Sequence, residues 1–292
     1  MILNVSGRCD IVAFYTDWFL KRYREGFVDV RNPFYPKQVS RIYFEDVDLI
    51  VFCTKNPKPI VPYLKEIHKP ILFQVTLTPY KRDVEPNVIK KEEIIESIKQ
   101  ISNELGREFV SVRYDPIFIS KKYSLSYHLK AFERMCSLLD GYVKQIIVSF
   151  IDEYKNSKKN WEMLGILPFT ESDYETIGKE FSRIAKNHGM TVQTCFEKNN
   201  LVKYGFVEGE CVSRLQAYQL TGKKFPAWKA RGCSCAAMVD IGVYNSCKHF
   251  CKYCYANFDE EQVLSNMSHH ENDSSLLVGH LESDDVIKVR RK

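Results

Sequence analysis

No stretch of this 292-residue chain is apolar for long enough to cross a bilayer. Its first residues, Met1-Ile2-Leu3-Asn4-Val5-Ser6, form neither a basic leader nor the apolar core of a secretion signal. The expectation is a cytoplasmic protein with no membrane partner. Charge of one sign is equally scarce. The 42 basic against 37 acidic side chains leave a formal +5, an excess that draws in anions but falls short of a nucleic-acid footprint. A small-molecule substrate is therefore favoured over nucleic acid. Internal repeats and low-complexity tracts are absent too, which sets aside solenoids and long disordered segments. With 45% hydrophobic and 27% charged residues, the chain can bury a sizeable core.

The first two-thirds alternate short β-branched runs with helical patterns, as βα units around a parallel sheet do. Six strands are expected, over 2–5, 48–54, 71–78, 109–114, 143–150 and 191–196. Ile94, Ile95, Ile98, Ile101 and Leu105 share one face of a helix over 92–105 that Gly106 stops. A second helix starts at a capping box of Thr170 and Asp173, runs through Tyr174, Ile177, Phe181 and Ile184, and ends at Gly189. Residues 26–44, with Asn32-Pro33 and Tyr35-Pro36, read as a hairpin or long loop. Strands covered by helices should be apolar throughout. Yet Gln74, Thr76 and Thr78 share one face, as do Ser111, Arg113 and Asp115, and again Gln193, Cys195 and Glu197. Core polar residues with internal partners would explain this alternation. So would a barrel lined for a ligand, with chemistry gathered at the C-terminal ends of the strands. The fold class expected is α/β, a partial (β/α)6 TIM-like barrel over residues 1–197. After Glu197 the rhythm stops, and residues 198–292 form a cysteine-rich iron-sulfur segment expected to fold over the open end.

Cysteine is abundant, at ten. In a cytosolic chain that argues against a disulfide framework and for metal, because thiols there are kept reduced. Cys9, Cys53 and Cys136 are scattered and read as small hydrophobes or incidental thiols. The other seven lie in the last third. Cys247, Cys251 and Cys254 are spaced three residues and then two, so one compact loop can wrap three thiolates around a cuboidal cluster. The motif lacks a fourth ligand. On a [4Fe-4S] cluster that leaves one iron open, as catalytic metals keep a position free for the reacting molecule. Structural zinc held with His249 or another cysteine is the alternative, although His249 sits only two residues from both Cys247 and Cys251, a crowded position. Cys195, Cys211, Cys233 and Cys235 would complete a second, fully coordinated [4Fe-4S] cluster, with zinc as the alternative occupant.

The three-then-two spacing, with aromatic Tyr253 before the last cysteine, resembles the signature of radical S-adenosylmethionine enzymes. That resemblance implies an open iron that chelates the cofactor's amino and carboxylate groups. It also implies cleavage to methionine and a 5′-deoxyadenosyl radical, and a reducing partner such as flavodoxin or ferredoxin. Over nearly its whole length the chain also resembles an uncharacterised bacterial family, domain-of-unknown-function family 1848. The matching stretches are Arg8 to Phe14, Asn32-Pro33, Thr54-Lys55-Asn56-Pro57, Arg113-Tyr114-Asp115-Pro116-Ile117, and Asp240-Ile241-Gly242 through Cys254-Tyr255-Ala256-Asn257. This second resemblance implies a partial barrel with the cluster motif near the C-terminus. Most radical S-adenosylmethionine enzymes carry it after the first strand, where this chain has Ser6-Gly7-Arg8-Cys9-Asp10.

Arg8, Asp10, Lys55, Arg113 and Asp115 fall just past expected strand ends and are the candidate catalytic residues. The cations suit carboxylate or phosphate groups, and the aspartates would orient them. For each, a structural ion pair at the rim is the plain alternative. Two other functions compete. One is a non-catalytic iron-sulfur electron carrier. The other is a zinc-stabilised nucleic-acid-binding or repair protein, with Lys248, Lys252 and Tyr253 as its basic, aromatic surface.

Overall fold

A computed structural model describes residues 1–153, 155–194, 197, 200–229 and 233–291. In chain order the strands are β1 (Ile2–Asn4), β2 (Phe27–Arg31), β3 (Gln38–Tyr43), β4 (Leu49–Thr54), β5 (Ile71–Thr76), β6 (Val110–Ile117), β7 (Gln145–Phe150), β8 (Thr191–Thr194), β9 (Met238–Asp240) and β10 (Val286–Val289). The helices are α1 (Ile11–Phe14), α2 (Thr16–Glu25), α3 (Lys91–Leu105), α4 (Leu125–Leu138), α5 (Lys155–Lys158), α6 (Trp161–Leu164), α7 (Glu171–Asn187), α8 (Arg214–Thr221) and α9 (Glu260–Ser268). No described helix is long and apolar enough to cross a membrane.

The class is α/β. A seven-stranded sheet runs in the order β8-β7-β6-β5-β4-β1-β9, with every neighbouring pair parallel. The six expected strands are β1 and β4 to β8; positions 195 and 196, and with them Cys195, lie outside the described residues. The seventh strand was not expected. β9 is three residues long, too short to show a period of two, and pairs with β1 from within the cysteine-rich segment. The insertion over 26–44 is a hairpin, β2 against β3, and β10 joins it as a third strand. Its turn is set by Asn32, whose Oδ1 accepts from the Phe34 and Tyr35 amides at 2.9 and 3.3 Å.

Strand alternation separates two faces. Ile50, Phe52, Phe73, Val75, Val112, Tyr114, Ile146 and Val148 enter the main core beneath the helices. There Phe132 of α4 stacks on Phe181 of α7 at 3.7 Å between ring centroids, with Tyr114 edge-on to both. α3 contributes Ile94, Ile98 and Ile101, while Ile95 is only half-buried. α7 begins at the expected capping box, the Asp173 amide donating to Thr170 Oγ1 and the Thr170 amide to Asp173.

On the opposite face Ile2, Leu49, Val51 and Leu72 form a second, smaller core with Val212, Ala217 of α8 and Ala236. The segment after residue 210 therefore covers the inner face at the β1, β4 and β5 end. Farther along, that same face turns polar, with Gln74, Arg113, Asp115, Ser149 and Gln193 bonded from strand to strand.

Candidate active site

The loop that carries Cys247, Cys251 and Cys254 is fastened to the segments that follow the C-terminal ends of β1, β4 and β5. Tyr15 Oη donates to the Ser246 carbonyl at 2.7 Å and Tyr255 Oη to the Gly7 carbonyl at 2.6 Å. Asn87 Nδ2 donates to the Lys248 carbonyl at 2.7 Å, and the Lys252 amide to the Val84 carbonyl at 2.9 Å. Close approach is possible because Gly242 has no side chain. A Cβ there would lie 3.1 Å from both the Arg8 amide nitrogen and Cys9 Sγ. Within the loop, Asn257 donates to the Cys247 carbonyl and the Cys254 amide to the Cys251 carbonyl, so the backbone is closed on itself.

The sequence-derived candidates are brought to this end, each with a partner. Asp10 caps α1 by accepting from the Ala13 amide at 3.0 Å, and its other oxygen accepts from the Lys55 amide at 2.8 Å and faces His249 Nε2 at 2.9 Å. Arg8 Nε donates to Asp240 at 2.6 Å. Asp240 also accepts from the amides of Gly7 and Gly242, tying the loop after β1 to the segment leading into the cysteine motif. Arg113 Nε donates to Asp115 at 2.9 Å, its Nη1 reaches Gln74 at 3.2 Å, and Ser149 donates to the other Asp115 oxygen. Burial would raise the Asp115 pKa, but Arg113 and Ser149 outweigh it and hold the carboxylate below its ordinary value.

These pairs are not sealed. Side chains of Arg8, Lys55, Arg113 and Asp115 keep 14 to 22% of their accessible surface, as does Asp240. Together with half-buried Cys53, Ser149, Glu197 and Cys254 they make a partly exposed, charged group. Burial, helped by Asp152 and Asp115, pushes Glu197 up to about 7 against the amide of Phe150 that donates to it. A carboxyl so tuned can exchange a proton near neutrality. A cavity of about 280 Å³ opens on the hairpin side of Arg8 and Asp240, which line it with Arg31, Asn32, Phe34 and Ser40; the thiols do not line it.

Lys55 belongs to a buried charge group that sequence reasoning missed. Its Nζ meets Glu85 at 2.8 Å, Lys91 meets the other Glu85 oxygen, and Thr78 and Tyr253 hydroxyls donate to the first. Burial alone would raise Glu85, but the two lysines outweigh it and take it down to about 2. The lysines diverge. Burial would lower both; Glu85 and Cys251 overcome it at Lys55, which rises, whereas burial prevails at Lys91, which falls. Glu85 and Lys91 come from a loop and a helix start with no motif to mark them. Asp240 was more legible, since it opens one of the matching stretches quoted above.

All three thiols have raised pKa values, burial first, with the neighbouring thiols contributing at Cys247 and Cys251. Without a cation they stay protonated at neutral pH, and metal binding must release protons. Among the described residues, Glu282, Asp284 and Asp285 at the surface form a group of three ligand side chains with all donor atoms within 4.8 Å. The three thiols are not such a group. A lone zinc with Zn–S bonds of about 2.3 Å would draw three sulfurs to about 3.8 Å from one another. A cube with iron at four corners holds its ligands farther apart. By donor chemistry three thiols suit an iron-sulfur cluster, and together with an imidazole they suit zinc.

Of the second set, Cys195 lies outside the described residues. Cys211, Cys233 and Cys235 gather beside the inner face. The Cys211 amide donates to Cys235 Sγ at 3.2 Å, Cys233 bonds Cys235, and Gln74 Nε2 donates to the Cys211 carbonyl. Cys211 is disulfide-bonded, so it offers no free thiol. Gln74 also approaches Cys53 at 3.7 Å and Arg113, so it connects this group to the charged residues at the strand ends. Cys9 and Cys53 are half-buried, whereas Cys136 is fully buried in α4.

The chain belongs to the family described as Domain of unknown function (DUF1848), whose model matches residues 2–256. No curated protein matches it. Among solved structures, a HpcH/Hpal aldolase/citrate lyase family protein from Burkholderia cenocepacia J2315 is similar at 12% identity. The alignment covers 82% of this chain and 86% of that one, with a TM-score of 0.26. A likeness that loose carries no argument about fold or function.

Proposed function

We propose that this member of the family is a radical S-adenosylmethionine-type enzyme in which Cys247, Cys251 and Cys254 hold a [4Fe-4S] cluster with one exchangeable iron. The observation that carries the reading is that buried Cys247 and Cys251 and half-buried Cys254 share one loop fastened beside the charged residues at the strand ends. When bound and reduced, such a cluster supplies the electron that cleaves S-adenosylmethionine to methionine and a 5′-deoxyadenosyl radical.

This chain's own residues do the rest. Lys55 and Arg113 receive the carboxylate of the cofactor or of a small-molecule substrate, exchanging part of their contact with Glu85 and Asp115. Asp115, held by Ser149, orients an ammonium or hydroxyl group, and Glu197 takes or gives a proton. Arg8 and Asp240 hold the entry to the cysteine loop. The sheet is proposed to curve as a partial barrel, with the cysteine-rich segment closing its open end and keeping water from the radical. The second cysteine set, Cys195, Cys211, Cys233 and Cys235, is proposed to hold an auxiliary cluster once a cellular dithiol, itself oxidised to a disulfide, has reduced the Cys211 disulfide to two thiols. An acidic one-electron donor of the flavodoxin or ferredoxin kind completes the reaction.

The test is anaerobic reconstitution with iron and sulfide, then incubation with dithionite and S-adenosylmethionine. The expected result is 5′-deoxyadenosine above the level of a protein-free control. Protein that carries a full cluster yet yields none, with spectra indifferent to S-adenosylmethionine, would make it an electron carrier instead.

A further inference from the structure

His249 lies between two of the proposed ligands, two residues after Cys247 and two before Cys251, and is 3% exposed. Its Nε2 is 2.9 Å from Asp10 Oδ2. That oxygen also accepts from the Lys55 amide, and the second Asp10 oxygen from the Ala13 amide, so the carboxylate is fixed in place as an acceptor. The partner it needs from the ring is an N–H at Nε2, which leaves Nδ1 as the ring nitrogen not engaged by Asp10.

Nδ1 is buried and has no hydrogen-bond partner. A buried ring nitrogen left unpaired is costly, and such a group calls for a partner such as a water or a metal. Phe250, the next residue, has a φ of +52°, a left-handed conformation that is uncommon for a bulky side chain. Phe14 closes one side of the ring at 4.7 Å between centroids. The His249 backbone amide donates toward the Cys247 thiol. A histidine that gives one ring N–H to a carboxylate and keeps the other nitrogen bare has the arrangement by which proteins prepare imidazole for a metal.

We infer that His249 Nδ1 is a fourth, exchangeable protein ligand to the cluster, bound while S-adenosylmethionine is absent and displaced when it arrives. Asp10 is then a positioning residue, acting through the ring. The inference rests on the cluster reading above but not on turnover. It also answers how an iron left open by three cysteines is kept from water and oxidants in a resting enzyme.

The measurement is pulsed electron paramagnetic resonance on the reduced, reconstituted full chain, made once with natural histidine and once with 15N-labelled histidine. The expected result is a nitrogen coupling of directly ligated imidazole that changes with the isotope, disappears in His249→Ala, and is lost on saturation with S-adenosylmethionine. Isotope labelling needs no variant, so a His249→Ala protein that fails to fold leaves the test intact. A reduced cluster with no histidine coupling overturns the inference, as does a coupling that persists in His249→Ala. The two readings fail separately. Cleavage of S-adenosylmethionine without histidine coupling removes only the ligand. A coupling that the cofactor neither displaces nor follows with 5′-deoxyadenosine makes His249 a permanent ligand, which overturns both its exchange and the enzymatic reading.

Discussion

Cys251→Ala is expected to lose the iron of the loop cluster after anaerobic reconstitution, keeping only what the second cysteine set holds, and with it all 5′-deoxyadenosine formation. The reason is geometric as well as chemical. The cysteines that hold the cluster are on one short loop, closed by the Cys254 amide on the Cys251 carbonyl and by Asn257 on the Cys247 carbonyl. No described thiol lies in reserve inside that loop, and two thiolates with an exchangeable imidazole do not retain a cube of iron and sulfide. Cys251 is also the thiol nearest the positive side of the site, since Lys55 and Lys91 both favour its ionised form. Its loss removes the ligand that those lysines serve. Cys136→Ala is the control, because that thiol is buried in α4 among core residues and should leave the iron content unchanged. Iron and sulfide assays of the purified proteins check the prediction. An unaltered iron-to-chain ratio in Cys251→Ala would sink it.

Glu85→Gln should be strongly destabilising. Glu85 is buried, pairs with Lys55 and Lys91, and accepts the hydroxyls of Thr78 and Tyr253. The amide keeps the shape but leaves two partly buried ammonium groups facing each other without a counter-charge. Removing one partner of a buried ion group costs about 3–5 kcal/mol, which for a chain of this size corresponds to a drop in Tm of about 5–8 °C. The pH dependence has a definite sign. Because the carboxyl falls to about 2 in the fold from an ordinary 4.5, its contribution is fully present above pH 4.5 and is lost as pH falls through 2. The variant should therefore differ most from the parent at neutral pH and converge with it in acid. Thermal unfolding at pH 7 and pH 3 checks both statements, and a shift of less than about 1 °C at pH 7 would contradict them.

How much of this could be read beforehand depends on how local each signal was. β4, β5, β6 and β7 announce themselves as β-branched runs, and the capping box at Thr170 and the Asn32 turn are written in neighbouring residues. The polar alternation through Gln74, Ser111, Arg113 and Gln193 correctly marked one face of the sheet, because side-chain direction in a strand is fixed by the backbone. β9 was hidden by its three-residue length, and β10 by its place in a charged tail. The covering of the inner face by Val212, Ala217 and Ala236 was equally silent, since three small or apolar residues scattered over 25 positions show no period.

At the site, the cysteine spacing and the strand-end candidates were legible because each lies within a few residues of a recognisable pattern. Their partners were not. Glu85 acquires meaning only when Lys55, Lys91 and Tyr253 converge on it from separate segments. His249 looked crowded while its loop was imagined alone. Asp10, 239 positions away in sequence, turns the ring into a prepared ligand, and nothing short of the folded chain joins the two.

The central claim is that the loop carries four irons, of which three are fixed by cysteine and one is free to change partners. Mössbauer spectroscopy of protein reconstituted with 57Fe, recorded with and without S-adenosylmethionine, tests it most directly. The account predicts that one of the loop's four irons shifts its parameters when the cofactor is added, while its other three and any iron held by the second cysteine set stay as they were. Four irons that all ignore the cofactor, or a loop that takes up zinc and no iron, would contradict it.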